Sequence, residues 1–236
     1  MTSSALAPIV TIEGTDGSGK RTQTAAVREG LTKLGLRVNW FTFPQYEVSF
    51  LSKIIIKFLN GDLGNPKDYH PIVRSLMFSL ERFEKKSEIF QLRTNADVLI
   101  LDRYIASNLA YQISQLPSNQ WAECIEYILE IETNILGLPI PDLNIFLDVD
   151  PNVAQINVSG KPHRKFLKET YDENERDLNL LKSSHAAYKY LVRESILAPW
   201  ISIKCHNIDS ELLSENEITQ KIISSLSKRL NLTTAR

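Results

Sequence analysis

The stretch IVTIEGTDGSGKRT, residues 9–22, joins a short apolar run to a glycine-rich loop. It satisfies the pattern G-x-x-x-x-G-K with Gly14, Gly19 and Lys20, and helix-forming residues follow. Glycines let successive backbone N–H groups turn toward an anion, and the following helix directs its positive end to the same point. The alternative is a plain glycine turn, but a position between an apolar strand and a helix favours phosphate binding. We therefore predict a nucleoside triphosphate site made of Gly14, Thr15, Asp16, Gly17, Ser18, Gly19, Lys20, Arg21 and Thr22.

Outward from this loop, strand and helix patterns alternate along the chain. Two continuous apolar runs, DVLIL at 97–101 and LNIFL at 143–147, have the composition of buried parallel strands. The repeated strand–helix–strand units predict an α/β fold: a doubly wound, five-stranded parallel sheet with helices on both faces. No repeat or long linker divides the chain, so we expect one domain over residues 1–236. The other predicted strands are 9–13, 37–43 and 200–205, and the predicted helices are 22–34, 49–60, 72–93, 121–136, a segment after Pro151, 171–192 and 214–230.

The composition argues against several classes of function. The chain has 27 basic and 28 acidic side chains and a formal net charge of -1, so neither a nucleic acid nor an anionic membrane is expected as the main partner. No uncharged apolar run approaches the roughly 20 residues that span a bilayer. Cys124 and Cys205 lie far apart without zinc-ligand spacing, which indicates buried thiols in a reducing compartment. The first residues lack the pattern of a secretory leader, so we expect a cytoplasmic protein.

A second cluster, DRYIASNLAYQ at 102–112, follows the apolar run at 97–101. The carboxyl ends of parallel strands meet at one edge of a sheet, so Asp102 and Arg103 are expected beside the phosphate loop. In a phosphoryl-transfer enzyme Asp102 would orient Mg²⁺ or its water, and Arg103 would neutralise charge on the phosphoryl group. The alternative for Asp102 is a cap on the following helix. Lys20 would bridge the β- and γ-phosphates of the donor.

Four features occur in a fixed order along the chain. They are the phosphate loop, Phe43-Pro44 after the second strand, the string DRYxxSNxAYQ, and Pro141-Asp142 before the fourth strand. Taken together they resemble the thymidylate kinase family across nearly the whole chain, and the DRY string is the most specific of them. The resemblance implies Mg²⁺-dependent transfer of the ATP γ-phosphoryl group to dTMP, giving dTDP, by a homodimer.

The resemblance also implies a set of acceptor-binding residues. In LMFSLERFE the ring of Phe78 would stack on thymine, and the guanidinium of Arg82, one helical turn later, would bond a base carbonyl. Periodicity alone would instead place Phe78 in the core. Asn108 would contact the base, Asp16 would bond the sugar 3′-hydroxyl, and Tyr111 would disfavour a 2′-hydroxyl. The full implied acceptor set is Asp16, Phe43, Tyr46, Phe78, Arg82, Arg103, Ser107, Asn108 and Tyr111.

The basic loop SGKPHRKFLK resembles the family's mobile lid, which we place around 159–170. Family members with an arginine inside the phosphate loop need none from the lid, and that position is Gly17 here. Arg164 is therefore the implied lid residue, although a solvated basic loop is the alternative. The predicted catalytic set is Lys20, Asp102, Arg103 and Arg164. The predicted Mg²⁺ ligands are Asp16, Asp102 and Glu175.

Two positions depart from the family pattern. Arg21 replaces the Ser or Thr that ligates Mg²⁺ after the lysine, and Thr22 lies one position late. Gln45 and Tyr46 follow Phe-Pro where many relatives carry an arginine for the acceptor phosphate, and Arg74 is the candidate substitute. Three other functions stay open: another nucleoside or nucleoside monophosphate kinase, a catalytically weak relative, and a GTPase-type switch, although the guanine-binding string N-K-x-D is absent.

Overall fold

The fold is built on a single parallel sheet. A computed structural model describes residues 6–46, 49–159, 177–208 and 211–230. Its strands are β1 (Ile9–Glu13), β2 (Val38–Thr42), β3 (Val98–Asp102), β4 (Leu143–Asp148) and β5 (Trp200–Lys204). They pair in the order β2-β3-β1-β4-β5, and every pair is parallel. The predicted five-stranded parallel α/β fold is confirmed.

The central strands are buried because helices cover both faces of the sheet. All residues of β1 and β3 are buried, whereas β2 and β5 at the edges are partly exposed. Side chains alternate between two cores: Ile9 and Leu99 pack into one, and Val10 and Ile100 pack into the other. This burial on both faces explains the continuous apolar runs from which the central strands were predicted.

Helices form a layer on each side of the sheet. Their bounds are α1 (Lys20–Lys33), α2 (Phe50–Leu59), α3 (Pro71–Glu84), α4 (Lys86–Thr94), α5 (Ile105–Ile113), α6 (Trp121–Leu129), α7 (Pro151–Ser159), α8 (Leu178–Arg193) and α9 (Glu215–Leu230). Val27 of α1 and Ile222 of α9 belong to one core, and Leu109 of α5 and Tyr188 of α8 belong to the other. Within the described ranges, no helix is both long enough and apolar enough to cross a membrane. Both cysteines are buried and free, as predicted.

Two predicted helices differ from the observed ones. The segment 72–93 lacks Pro and Gly but divides at Lys85, and the separate helix α4 places Ile89 in the core. The segment 121–136 is α-helical only as far as Leu129. It continues as a π-helical turn, Glu130–Ile135, and the Leu136 N–H then donates to the Ile131 carbonyl five residues back. Each departure accompanies a side chain that is buried in the structure, Ile89 in α4 and Glu132 in the π-helical turn.

Candidate active site

The phosphate loop lies between β1 and α1, as predicted. The backbone φ of Gly17 is +80°, and a Cβ there would stand 2.0 Å from the Ala154 carbonyl oxygen of α7, so only glycine fits. Lys20 is the first residue of α1 and is 6% exposed. Its Nζ donates to the Thr15 carbonyl oxygen at 2.6 Å. The loop therefore has its glycine conformation and its lysine in place before a phosphate binds.

The other loop residues divide between interior and surface. Gly14, Thr15 and Ser18 are buried, and the side chains of Arg21 and Thr22 are exposed on the first turn of α1. Asp16, Gly17, Gly19, Lys20, Arg21 and Thr22 all line the cleft described below.

Asp16, Arg103 and Tyr111 meet beside this loop. Arg103 follows β3, and its Nη2 donates to one carboxylate oxygen of Asp16. The Tyr111 hydroxyl donates to the other oxygen at 2.6 Å, and its ring centre lies 5.3 Å from Arg103 Cζ. Burial opposes the charged form of Arg103, but Asp16 keeps the pKa of the guanidinium well above its ordinary value. Residues predicted on two separate motifs are thus brought into contact.

Asp102 is the last residue of β3, and only one of its two carboxylate oxygens has a hydrogen-bond partner among the described residues. Its Oδ2 accepts a hydrogen bond from Thr42 Oγ1 at 3.4 Å, and its Oδ1 is buried without a partner in the described part of the chain. Asp102 does not cap α5, because Tyr104 occupies the N-cap position and no side-chain cap is made there. An unpartnered carboxylate oxygen is suited to Mg²⁺ or to one of its waters. Within the described ranges no group of three acidic, histidine or cysteine side chains converges on one point, so phosphates and water would supply other ligands.

Arg82 and Glu132 form a buried, bidentate ion pair. Arg82 Nε donates to Glu132 Oε2 at 2.8 Å, and Nη2 donates to Oε1 at 2.6 Å. Asn108 Nδ2 and Ser79 Oγ donate to the same carboxylate at 2.7 and 3.0 Å. Burial opposes the charged form of Arg82, yet Glu132 keeps its pKa above the ordinary value. Arg82 Nη1 makes no hydrogen bond to any described residue, which leaves this donor for a ligand in the cleft.

Besides Tyr111, three aromatic residues of the implied acceptor set line the cleft. Phe78 precedes Arg82 by one turn of α3 and is half-buried, so the core position that periodicity favours is not observed. Phe43 is buried, with its ring centre 5.8 Å from that of Tyr104. Tyr46 is half-buried and also lines the cleft. Contacts of these rings with a nucleotide stay predictions.

Two residues of α3, Glu81 and Arg74, line the same cleft as Gln45, where the family pattern is broken, and both are buried polar groups. The Gln45 N–H donates to Glu81 Oε1 at 2.6 Å, and burial raises the pKa of Glu81 to about 7. Arg74 Nη1 donates to Gln115 Oε1, while Arg74 Nε is buried without a hydrogen-bond partner in the described residues. Arg74 lines the cleft, and its predicted contact with an acceptor phosphate stays a prediction.

These groups share one continuous cleft. Its volume is ≈ 1490 Å³, whereas a pocket for one drug-sized ligand measures roughly 300–1,000 Å³. The cleft therefore has room for two nucleotides. Ser107 also lines it, and its Oγ accepts from Arg103 Nη1 at 3.4 Å. The predicted lid, placed around 159–170 with Arg164, lies outside the described residues from position 160 onward, and so does Glu175.

Glu132 is the site residue that sequence reasoning missed. The sequence predicts an amphipathic helix over 121–136, packed on the sheet, with its glutamates assigned no role. In the structure Cys124, Ile125, Ile128 and Glu132 are all buried. A glutamate at helical spacing from apolar residues was the available signal. Its partner Arg82 lies fifty positions away in sequence, and no local pattern connects them.

The fold and the site define a class, the P-loop phosphotransferases that act on nucleotides. Comparison with known proteins then gives the family. The sequence profile of thymidylate kinase matches residues 12–204. The thymidylate kinase of Mycobacterium tuberculosis is 31% identical over 195 residues, which cover 83% of this chain and 90% of that protein. This chain belongs to the thymidylate kinase family.

More distant relatives agree with this assignment. A probable thymidylate kinase of Methanosphaera stadtmanae is 30% identical over 181 residues, covering 74% of this chain and 84% of that protein. A solved thymidylate kinase structure from Candida albicans has a TM-score of 0.68 at 20% identity, and the match covers 97% of this chain and 95% of that chain. At this identity the structural match establishes the shared fold.

Proposed function

We propose that this protein transfers the γ-phosphoryl group of ATP to dTMP, giving dTDP and ADP. The observation that carries the proposal is one cleft lined by a phosphate loop and by an arginine held in a buried ion pair. Lys20 and the loop amides supply positive charge for the donor phosphates. Arg82 Nη1 supplies a donor for a base carbonyl, and Phe78 supplies a ring one helical turn away.

Charge neutralisation between the two nucleotides is assigned to Arg103. Phosphoryl transfer needs little covalent chemistry from the protein, so positioning and electrostatics provide most of the catalysis. Arg103 is already fixed by Asp16 on one side and by Ser107 on the other. Arg164 is proposed to add a second positive charge from the lid. Asp16 and Tyr111 are proposed to contact the sugar of the acceptor.

Mg²⁺ is proposed as the cofactor. The unpartnered Asp102 Oδ1 supports this, because a buried carboxylate oxygen at the end of β3 fits the ion or a water bound to it. Asp16 and Glu175 are proposed as further ligands or as partners of bound waters. When bound, the ion would neutralise charge on the phosphates. Arg21 offers no hydroxyl, so this chain depends more on its carboxylates than a P-loop with Ser or Thr does.

A substrate panel tests the proposed activity. ADP release is measured with dTMP, dUMP, dCMP and UMP, in Mg²⁺ and after chelation. Cytosine presents an amino donor where thymine presents a carbonyl, so dCMP would leave Arg82 Nη1 facing another donor. We expect kcat/KM for dCMP to fall at least about 100-fold below that for dTMP, and for dUMP about 10-fold, since dUMP lacks only a methyl group. Equal rates with dCMP, or full activity without Mg²⁺, would contradict the respective assignment.

A homodimer is also proposed. Helix α3 has exposed apolar side chains that recur at helical spacing: Val73, Leu76, Leu80 and Phe83. They occupy other positions of the helix than Arg74, Phe78 and Arg82, which line the cleft. A second copy of the chain would cover these apolar side chains.

The mass in solution tests the dimer. Light scattering is expected to give twice the chain mass of 26.9 kDa for the wild type. Leu80→Arg is expected to halve the measured mass, because a charge would be buried unpaired at the interface. Leu34→Arg is the matched control, since Leu34 is 39% exposed and Leu80 is 40% exposed. A monomeric wild type, or a dimer that Leu80→Arg leaves intact, would overturn the proposed interface.

The proposed location is the cytoplasm. Cys124 and Cys205 are buried and free, which fits a reducing compartment. The net charge of -1 gives no support for a nucleic acid as a partner.

A further inference from the structure

Glu13 is a fully buried carboxylate that the proposed chemistry does not use. It is the last residue of β1, directly before the phosphate loop. Its Oε1 accepts from the Tyr104 N–H at 2.8 Å, and its Oε2 accepts from Ser107 Oγ at 2.6 Å and from the Tyr188 hydroxyl at 3.1 Å. A carboxylate that accepts three hydrogen bonds is held in one orientation. These three donors, from α5 and its N-cap and from α8, offset part of the cost of burying the group.

These bonds surround the backbone of Arg103. Its φ is +65°, in the left-handed region that a branched or long side chain rarely adopts. The Arg103 N–H donates to the Ile12 carbonyl at 3.1 Å, and the next amide, that of Tyr104, donates to Glu13. Such a conformation is strained and persists only where the surrounding hydrogen bonds hold it in place. Two consecutive residues of β1 thus hold the two amides that define this turn.

Glu13 also acts on the Arg103 side chain through one intermediary. Ser107 donates its hydroxyl hydrogen to Glu13 and so presents a lone pair to Arg103 Nη1 at 3.4 Å. Burial raises the pKa of Glu13, while the hydrogen bond from Ser107 and the charge of the Arg103 guanidinium oppose that rise and favour the carboxylate. The Arg103 side chain is then held between Ser107 and Asp16, beside the phosphate loop.

We propose that Glu13 is a positioning residue, which aims the Arg103 guanidinium at the phosphoryl group in transit without touching either nucleotide. This inference rests on the proposed function of Arg103. Under this proposal, adjacent parts of the chain have different roles. The glycine loop binds phosphate, and Glu13, the residue before the loop, orients Arg103.

A double-mutant cycle on dTMP phosphorylation tests the proposal. Glu13→Gln keeps the size of the side chain and the acceptor for Tyr104 but replaces the acceptor for Ser107 with a donor. We expect kcat to fall about 10-fold, with KM for ATP changed less than about 2-fold, because the glycine loop is untouched. In an Arg103→Ala background the same change should lower kcat less than about 2-fold. Circular dichroism melting establishes that each variant is folded.

Additive losses in the two backgrounds would overturn the proposal, since a merely structural carboxylate would lower activity equally with or without Arg103. Thr11→Val is the matched control: Thr11 is buried on the same strand and bonds Asn144 at 2.6 Å, and its effect is expected to be additive. If Glu13→Gln does not fold, Ser107→Ala takes its place in the cycle, with the same non-additivity expected and the same overturning result. An inactive wild type would refute the proposed function, and near-normal turnover by Arg103→Ala would overturn both assignments.

Discussion

Lys20→Ala is expected to lower kcat/KM for dTMP phosphorylation about 100-fold or more, because it removes the charge proposed to hold the donor phosphates in the transition state. The Lys20 ammonium is buried and bonded to the Thr15 carbonyl, so it is positioned before ATP arrives. A charge that is already in position stabilises a transition state most effectively, because neither the protein nor the solvent has to reorganise during the reaction. Steady-state ADP release at varied ATP concentration measures the loss.

A second lysine of the same helix provides the control for this prediction. Lys33 ends α1, is 73% exposed in its side chain, and pairs with Glu29 four residues earlier at 2.6 Å. Lys33→Ala should leave kcat/KM unchanged, since a surface ion pair contributes little and lies away from the loop. Near-normal turnover by Lys20→Ala would show that the loop amides alone hold the donor, and would remove the assigned role of Lys20.

Glu132→Ala is expected to destabilise the fold by about 3–5 kcal/mol, because it leaves the Arg82 cation buried without its carboxylate. Asn108 and Ser79 lose the same acceptor, which adds to the cost. Urea unfolding curves with an unchanged slope measure the difference in the free energy of unfolding. Because the guanidinium of Arg82, which lines the cleft, would lose the carboxylate that fixes it, KM for dTMP should rise in the folded fraction as well.

Glu130→Ala is the matched control for Glu132→Ala. Glu130 belongs to the same π-helical turn but is exposed, so its removal should leave stability close to that of the wild type. Glu132→Gln keeps the shape and should cost less than alanine, while still raising KM for dTMP. Wild-type stability in Glu132→Ala would contradict the importance of the buried pair.

The parts of the fold that could be predicted from sequence are those that local patterns encode. Continuous apolar runs identified β3 and β4 as central strands, because both faces of each strand are covered. Gly14, Gly19 and Lys20 could be placed because backbone conformation and phosphate contact require those residue types at that spacing. The meeting of Arg103 with the phosphate loop followed from the rule that parallel strands end at one edge.

The parts that could not be predicted depend on partners distant in sequence. Glu132 and Arg82 are fifty positions apart, and Glu13 is 91 positions from Tyr104. A periodic pattern indicates which face of an element is buried, but it does not identify which buried charge will meet which donor. The break at Lys85 could not be predicted for the same reason. The sequence allows one continuous helix over this segment, and the contact that marks a second helix, Ile89 in the core, involves residues distant in sequence.

The π-helical turn makes the number of residues in this segment decisive for the ion pair between Glu132 and Arg82. A bond from residue 136 back to residue 131 accommodates one residue more per turn than an α-helix does. Deleting a single residue between 130 and 132 would return this segment to ordinary α-helical spacing and would rotate the glutamate away from the guanidinium. Relatives with a gap at this point would therefore need a different counter-ion for the arginine at the position of Arg82, even where every named side chain of the cleft is retained.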